Sequence, residues 1–395
     1  MTKPKISTVI RDRWQSVVLA LVALVGLFGV FFYQFGTIAP SVRPEELNVL
    51  GSGLSDILRS PLHLHQQIVQ KVATLLGASD LLAVRLTPAI NAVISVGAFY
   101  LIVRSWFTRR IALMGSALFL SSSWLLHTAR MGTTDANYLL IVVPVLALTM
   151  LLKNKFSLRG SILLLLSGIV LLYVPGFIWL VVPALILRRK LIIDSVRVLP
   201  PWAIGLVSLC VVFGLLPLVV AATADPRFLW EITGLPSDFS RLSEVPASLV
   251  EGLKALFVAR EFNPLFGIGT LAYLNIATMA LIVLGMAQSY RERRLERNKA
   301  LAIICLVGVV LHGLSLGAIS LAFVMPFLFM YATKGLAYLL QNWRAVFPKN
   351  FLAEKLAVVA LIAVLVGIGT YETIRYFEAW PHSDGYAEIF KTTDT

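Results

Sequence analysis

The chain has 395 residues, of which 58% are hydrophobic and 14% are charged, whereas soluble domains average roughly 45–50% apolar and about 25% charged residues. This composition excludes an ordinary water-soluble fold and indicates a membrane protein. The net charge of +13 does not indicate nucleic-acid binding. Most Lys and Arg residues lie in the N-terminal tail and in alternate loops, whereas Asp and Glu concentrate in the other loops. The basic segments are therefore predicted to be cytoplasmic.

Apolar segments long enough to cross a bilayer, about 20 residues as a helix, recur along the whole chain. They are Val17–Phe35, Pro88–Val103, Ile111–Leu126, Tyr138–Leu152, Gly160–Leu187, Trp202–Ala222, Leu265–Ala287, Ala300–Leu340 and Leu356–Thr370. The fifth segment has basic residues on both flanks and a break at Tyr173–Gly176, which predicts two short helices. The eighth is predicted to break near His312 and Gly313. About eleven spans result, with a cytoplasmic N-terminus and an external C-terminus.

The predicted fold is all-α, a polytopic transmembrane helical bundle that forms one domain over residues 1–395. Two long outer loops are expected at about 36–87 and 223–264, and an outer C-terminal tail at about 371–395. Within the first loop, Leu47–Leu58 places its leucines on one helical face. This pattern predicts a short helix that lies at the membrane interface.

The first outer loop carries a pair of candidate catalytic acids. Glu45 and Glu46 follow Pro44 directly. Taken alone, they fit the first turn of the interfacial helix, where the helix dipole favours carboxylates.

Two histidines follow in the same loop. His63 and His65 are two residues apart, which separates them by about 200° around a helix. Both therefore reach one metal ion only from an extended segment, and the spacing matches no established zinc motif. Two interpretations remain. His63 and His65 hold a divalent ion, or they are plain interfacial histidines without a metal.

The remaining candidates are polar residues in the predicted outer loops and at the predicted breaks. Arginines suit phosphate or pyrophosphate because their forked donors bind two oxygens at once, although solvated surface charge is the alternative interpretation. Asp135 follows two threonines before a span and also suits a helix cap, as His312 suits a polar cap at its break. The candidates beyond the acid pair and the histidine pair are Arg59, Arg85, Arg130, Asp135, Arg227, Arg241, Arg260 and His312.

The order of these elements resembles the GT-C superfamily of polyprenyl-phosphate-dependent glycosyltransferases, in the branch with protein O-mannosyltransferases and lipid A aminoarabinose transferases. That branch has an Asp-Glu pair, an Ile-Leu, a Pro-Leu, a Gly before an Ala-x-Arg-Leu element, an aromatic-Arg-Arg turn and a Ser-Arg-x-x-x-x-Asp element. The corresponding residues are Glu45-Glu46, Ile57-Leu58, Pro61-Leu62, Gly77, Ala83-Val84-Arg85-Leu86, Trp106–Arg110, Ala129-Arg130 and Asp135. The match covers about Pro44 to Leu152, and a Glu replaces the family's Asp.

The resemblance implies transfer of a hexosyl or pentosyl group from a polyprenyl phosphate to an acceptor outside the cytoplasm. It implies an inverting displacement, with Glu45 or Glu46 as general base and Arg260, with Arg227 or Arg241, at the lipid phosphate. His63 or Asp135 would orient the substrate or bind a divalent ion; no cofactor is otherwise implied. The expected location is a bacterial or archaeal cell membrane.

Two other classes of function fit the composition. A lipid or sugar-lipid transporter is favoured by the broken helices, which also mark transporter sites. It is disfavoured because the middles of the spans carry almost no ionisable residues. A catalytically inactive membrane scaffold is the other alternative, which the Glu in place of the family's Asp keeps open.

Overall fold

A computed structural model describes residues 25–26, 29–35, 38–39, 46, 61–62, 64–154, 158–187, 189–236, 239–258, 268, 271–348, 350–384, 386 and 390. Within these ranges the chain is helical and has no β-strand. The α-helices are α1 (Leu64–Leu75), α2 (Asp80–Trp106), α3 (Arg109–Leu120), α4 (Ser123–Arg130), α5 (Val142–Asn154), α6 (Leu158–Leu171), α7 (Ile178–Leu187), α8 (Arg189–Arg197), α9 (Pro201–Ala224), α10 (Phe228–Thr233), α11 (Val245–Phe257), α12 (Ile276–Arg291), α13 (Glu296–Leu314), α14 (Met325–Val346) and α15 (Phe351–Ile374). Short 3₁₀ helices are Thr134–Ile141, Phe239–Glu244 and Leu321–Phe323, and a π-helical turn is Arg375–Ala379.

Five helical segments of the described chain are long and apolar enough to cross a membrane. They are Asp80–Trp106, Thr134–Leu152, Pro201–Ala224, Glu296–Leu314 and Leu352–Ala379. A sixth candidate is the pair α3 and α4, if both belong to one bent span. The predicted all-α membrane bundle is therefore confirmed in its helical class, and the count of about eleven spans stays a prediction.

The break predicted at Tyr173–Gly176 is confirmed. Helix α6 ends at Leu171, Gly176 has a φ of 78°, and α7 begins at Ile178. Because a left-handed φ strains residues that carry a Cβ, glycine suits this turn. The N–H of Gly176 donates to the Ile232 carbonyl at 2.8 Å, so the turn is fastened to helix α10.

The break predicted near His312 and Gly313 is also confirmed, because helix α13 ends at Leu314 and a segment that contains the 3₁₀ helix Leu321–Phe323 leads to α14. One further break differs from the prediction. The predicted span Ile111–Leu126 is instead two helices, α3 and α4, that meet at 60°. Ser121 and Ser122 separate them, and serine hydroxyls compete for backbone hydrogen bonds near helix ends.

Helices α12 and α14 approach each other closely at two glycines. A Cβ on Gly285 would lie 1.8 Å from the Tyr331 carbonyl oxygen, and one on Gly335 would lie 2.2 Å from that of Leu281. Small residues allow this kind of backbone contact between membrane helices. Farther along, Arg291 donates to the Tyr338 hydroxyl at 3.3 Å, so the two helices run in the same direction.

Candidate functional site

Glu46 forms a buried ion pair with Arg85, which lies in the second turn of α2. Arg85 Nε donates to Glu46 Oε1 and Nη2 donates to Oε2, each at 3.0 Å. Arg85 Nη1 donates to the Ala39 carbonyl at 2.5 Å. Both side chains are 0% exposed. The bidentate geometry is the strongest form of this interaction, and it fastens part of the first predicted outer loop to α2.

Gly132 brings α4 and the following 3₁₀ helix to the same ion pair. Its N–H donates to Glu46 Oε1 at 2.6 Å, and its carbonyl accepts from Gln66 Nε2 at 3.3 Å. A Cβ at this position would lie 2.3 Å from Val84 Cγ1 and 2.9 Å from Glu46 Oε1. The close approach therefore requires glycine, because any side chain would displace the carboxylate.

A network of buried amides continues from Gly132 towards His65. Asn137 Nδ2 donates to Gln66 Oε1 at 3.3 Å, and Asn91 Nδ2 donates to Asn137 Oδ1 at 3.0 Å. His65 Nε2 lies 2.9 Å from Asn137 Oδ1. Gln66, Asn91 and Asn137 are at most 3% exposed. Hydrogen bonding offsets the cost of burying these polar groups, so the network sets the position of α1 against α2 and the 3₁₀ helix.

His65 is the member of the predicted histidine pair that the structure describes. Burial lowers its pKa from the ordinary value, and the hydrogen bond to Asn137 opposes this shift. Its Nδ1 is buried and has no hydrogen-bond partner among the described residues. The described residues contain no group of three or more His, Cys, Asp or Glu side chains that could hold a metal ion. The metal prediction also depends on His63, which lies outside the described ranges, and it stays a prediction.

Arg130 ends helix α4 inside an aromatic cage and is 3% exposed. Its Nη2 donates to the Tyr33 carbonyl at 2.6 Å. The guanidinium carbon lies 5.9, 5.3 and 4.9 Å from the ring centres of Phe35, Tyr376 and Phe377. Nη1 is buried and has no hydrogen-bond partner in the described part of the chain. The spare donor is compatible with the predicted substrate contact, which stays a prediction.

Of the other predicted site residues, Asp135 lies near Gly132, whereas Arg227, Arg241 and His312 lie farther along the chain, after α9. Asp135 is partly exposed in the 3₁₀ helix Thr134–Ile141, three positions beyond Gly132. Arg227 and Arg241 are exposed, and Arg241 pairs with Glu244 at 2.8 Å. His312 Nδ1 donates to the Ile319 carbonyl at 2.7 Å. Four predicted residues lie outside the described ranges, namely Glu45, Arg59, His63 and Arg260.

The 3₁₀ helix that carries Asp135 contacts the turn after His312 through aromatic residues. The rings of Tyr138, in the 3₁₀ helix after Gly132, and Phe323, after the His312 turn, are centred 6.5 Å apart. A Cβ on Gly176 or Gly234 would lie 2.3 or 2.7 Å from Ile319 Cδ1. The break after α6, the end of α10 and the turn after α13 therefore pack closely against one another.

One buried acid was not predicted as a site residue. Glu372 lies in α15 and is 2% exposed. Its Oε2 accepts from the Ser123 N–H at 2.8 Å, and its Oε1 accepts from Asn275 Nδ2 at 2.7 Å. A single acid near the end of a long apolar segment was the available signal, because ionisable residues in spans are costly. Asn91 and Asn137 carried a similar signal.

Similarity to solved structures extends over nearly the whole chain. ArnT from Cupriavidus metallidurans, solved with undecaprenyl phosphate, has a TM-score of 0.53 at 16% identity, covering 94% of this chain and 75% of ArnT. Its apo state has a TM-score of 0.52 at 17% identity, with 95% and 76% covered. Archaeal oligosaccharyltransferase AglB from Archaeoglobus fulgidus, solved with an inhibitory peptide and a dolichol-phosphate, has a TM-score of 0.58 at 13% identity, with 94% and 56% covered.

No protein-family model and no curated protein sequence matches the chain. At these low identities the structural likeness defines the fold alone. The chain shares the fold of ArnT and AglB, as expected from the resemblance over about Pro44 to Leu152.

Proposed function

We propose that the protein is a multi-pass membrane glycosyltransferase that moves a sugar from a polyprenyl-phosphate donor to an acceptor on the extracytoplasmic face. The observation that supports this most is the fold shared over 94% of the chain with ArnT, which was solved with undecaprenyl phosphate. AglB, solved with dolichol-phosphate, supports the same class of lipid. The proposal includes one domain, about eleven spans, a cytoplasmic N-terminus and an external C-terminus.

The reaction proposed is an inverting displacement in which a carboxylate deprotonates the acceptor hydroxyl. Both carboxylate oxygens of Glu46 accept hydrogen bonds from Arg85, and Oε1 also accepts from Gly132. Those contacts favour a carboxylate that holds the loop in place. We therefore assign the base to the adjacent Glu45, keep Asp135 as the alternative, and give Glu46 a positioning role.

Cations must hold the departing lipid phosphate, because electrostatic stabilisation is often the largest catalytic contribution. Arg260, with Arg227 or Arg241, is proposed for this contact, and Arg59, His63, Arg130 and His312 are further substrate-binding candidates. Arg85 was also predicted to bind substrate, and its guanidinium is instead bonded to Glu46. Arg241 would exchange its exposed partner Glu244 for a phosphate. That exchange is inexpensive, since exposed ion pairs contribute only about 0–1 kcal/mol.

The test is release of free polyprenyl phosphate from a sugar-loaded donor by the protein in nanodiscs, with water as the acceptor of the sugar. Glu45→Gln should bind the donor and lose about 10²–10⁴-fold in turnover, the usual contribution of general-base catalysis. Glu251→Gln is the matched control, because among the described residues Glu251 forms an ion pair with the exposed Lys254 in α11. It should retain the wild-type rate.

Two outcomes would contradict the assignment, and a third would add a metal ion to the mechanism. Wild-type turnover in both Glu45→Gln and Asp135→Asn would remove the catalytic base proposed here. Movement of the sugar-lipid across the bilayer without bond cleavage would identify a transporter. Loss of turnover on chelation of divalent ions would require a metal in the mechanism, for which His63 and His65 are the candidates.

A further inference from the structure

The turn between α12 and α13 carries a dense group of exposed cations. These are Arg291, Arg293, Arg294, Arg297 and Lys299. The two acids in the same turn are already matched by lysines, since Glu292 pairs with Lys334 at 2.9 Å and Glu296 pairs with Lys299 at 3.0 Å. None of the four arginines forms an ion pair in the part of the chain that is described. The turn therefore presents arginine charge without a compensating acid.

The turn between α2 and α3 lies beside it and adds further charge. Arg104, Arg109 and Arg110 are exposed there. The guanidinium carbon of Arg297 is 5.9 Å from the ring centre of Trp106, the last residue of α2. This cation–π contact joins the two turns at one end of the bundle. We call the seven arginines of these two turns the arginine surface.

Buried and half-buried contacts fix the position of the turn between α12 and α13. Lys334 Nζ donates to Asn298 Oδ1 at 3.1 Å, and Asn298 Nδ2 donates to the Glu292 carbonyl at 2.9 Å. Gln288 Nε2 donates to Glu292 Oε1 at 2.6 Å. A turn held in this way loses little conformational entropy when it binds a ligand.

The depth of the arginine surface follows from the helices that it joins. Both α2 and α13 are long and apolar enough to cross a membrane, so the turns at their ends lie at the level of lipid headgroups. Trp106 and the exposed Tyr290 flank the cations, as expected of residues at a membrane interface. Arginine forks match phosphate oxygens in geometry as well as charge.

We propose that the arginine surface is a binding site for the phosphate groups of anionic phospholipids. The lysines neutralise the acids of the turn, and the arginines remain available to bind phosphodiesters of the surrounding leaflet. The site is separate from the Glu46 region and does not depend on glycosyl transfer. Basic clusters between membrane helices are suited to such headgroups.

The test measures binding of spin-labelled phosphatidylglycerol to the purified protein in phosphatidylcholine nanodiscs. The variant is R293Q/R294Q/R297Q, and the matched control is R189Q/K190Q/R197Q, which removes the same charge from exposed positions in α8. The first triple should bind about tenfold more weakly or worse, and the control should bind like the wild type. Equal losses in the two triples would reduce the site to general basic charge and overturn the proposal.

Two further measurements keep the proposal testable if the variant folds poorly. In the wild type, raising the ionic strength should weaken the binding of phosphatidylglycerol, and binding insensitive to salt would overturn the proposal. Inorganic phosphate should fail to displace the lipid, because the site is proposed for phosphates held in a bilayer. Complete displacement by inorganic phosphate would identify a soluble ligand instead.

Discussion

Two buried carboxylates, Glu46 and Glu372, are stabilised in different ways. Glu46 faces a guanidinium, with both of its oxygens 3.0 Å from Arg85 nitrogens. Glu372 has no cation beside it among the described residues and accepts only from the Ser123 N–H and the Asn275 amide. Ser123 is the first residue of α4, and Asn275 caps α12 by accepting from the Thr278 N–H at 2.7 Å.

The contrast shows that helix ends can take the place of an arginine. The first turn of a helix carries a partial positive charge of roughly half a unit, and Glu372 accepts from the first N–H of α4 and from the side-chain amide that caps α12. A change at Glu46 strands a full positive charge in an apolar environment, whereas a change at Glu372 strands only backbone and amide donors. The two sites should therefore respond unequally to the same kind of substitution.

The largest effect is expected from Glu46→Ala. Removal of one partner from a buried ion pair typically costs about 3–5 kcal/mol, because the remaining charge is uncompensated. The free energy of unfolding in detergent should fall by this amount. The double variant Glu46→Leu with Arg85→Met removes both charges and should recover most of the loss. A double variant as unstable as the single one would show that the ion pair is not the cause.

Gly132 and Gly369 give a second test of the comparison, since each lies near one of the two acids. Ala at 132 would place its Cβ 2.3 Å from Val84 Cγ1, so Gly132→Ala should cost towards the upper end of about 1–3 kcal/mol. Ala at 369 would lie 3.4 Å from Ser121 Cβ, an ordinary contact. Gly369→Ala should instead stabilise α15 by up to about 1 kcal/mol. Thermal unfolding should therefore show a lower unfolding temperature for Gly132→Ala and a higher one for Gly369→Ala.

Glu372→Gln should cost less than Glu46→Ala. The amide nitrogen replaces one acceptor, so either Ser123 N–H or Asn275 Nδ2 loses its partner. One buried donor left unsatisfied costs about 1–3 kcal/mol. Unfolding of this variant in detergent should show a loss within that range. A loss as large as that of Glu46→Ala would indicate a positive partner for Glu372 outside the described ranges.

The difference between the two acids also marks what a sequence can predict. The apolar run of α2 and the Pro-Gly break after α6 are local signals, and both were predicted. The partnership of Glu46 and Arg85 joins residues 39 positions apart, and no local pattern specifies it. Glu372 was placed in the predicted outer tail, because the apolar run was taken to end at Thr370, whereas α15 continues to Ile374.

The bend between α3 and α4 shows a second limit of sequence reasoning. The three serines at 121–123 lower the mean hydropathy of the segment only slightly, so Ile111–Leu126 was predicted as one span. The tertiary contact that supports the bend comes from Glu372, whose Oε2 accepts from the Ser123 N–H. The helical class was therefore within reach of the sequence. The contacts of the buried acids depend on elements distant in the chain.

The smallest expected effect is a pH dependence of stability that arises from His65, in the network that leads to Glu46. Burial lowers the pKa of His65, and its hydrogen bond to Asn137 opposes this. The unfolded chain takes up a proton at His65 as the pH falls through about 6.5, whereas the folded chain does so only at lower pH. Stability from this group is therefore present above the unfolded pKa and lost as the pH falls towards the folded one.

Acidification should accordingly loosen the network that joins His65 to Gly132 and Glu46. His65→Asn removes the titrating group and should flatten the decline of the unfolding temperature below about pH 6.5. His382→Asn is the control, because His382 is exposed and lies in the C-terminal region; it should keep the wild-type profile. Hydrogen exchange at the Gly132 N–H, corrected for intrinsic rates, should rise with acidification in the wild type more than in His65→Asn. Equal rises in both proteins would place the pH-sensitive group elsewhere and separate His65 from the stability of the Glu46 ion pair.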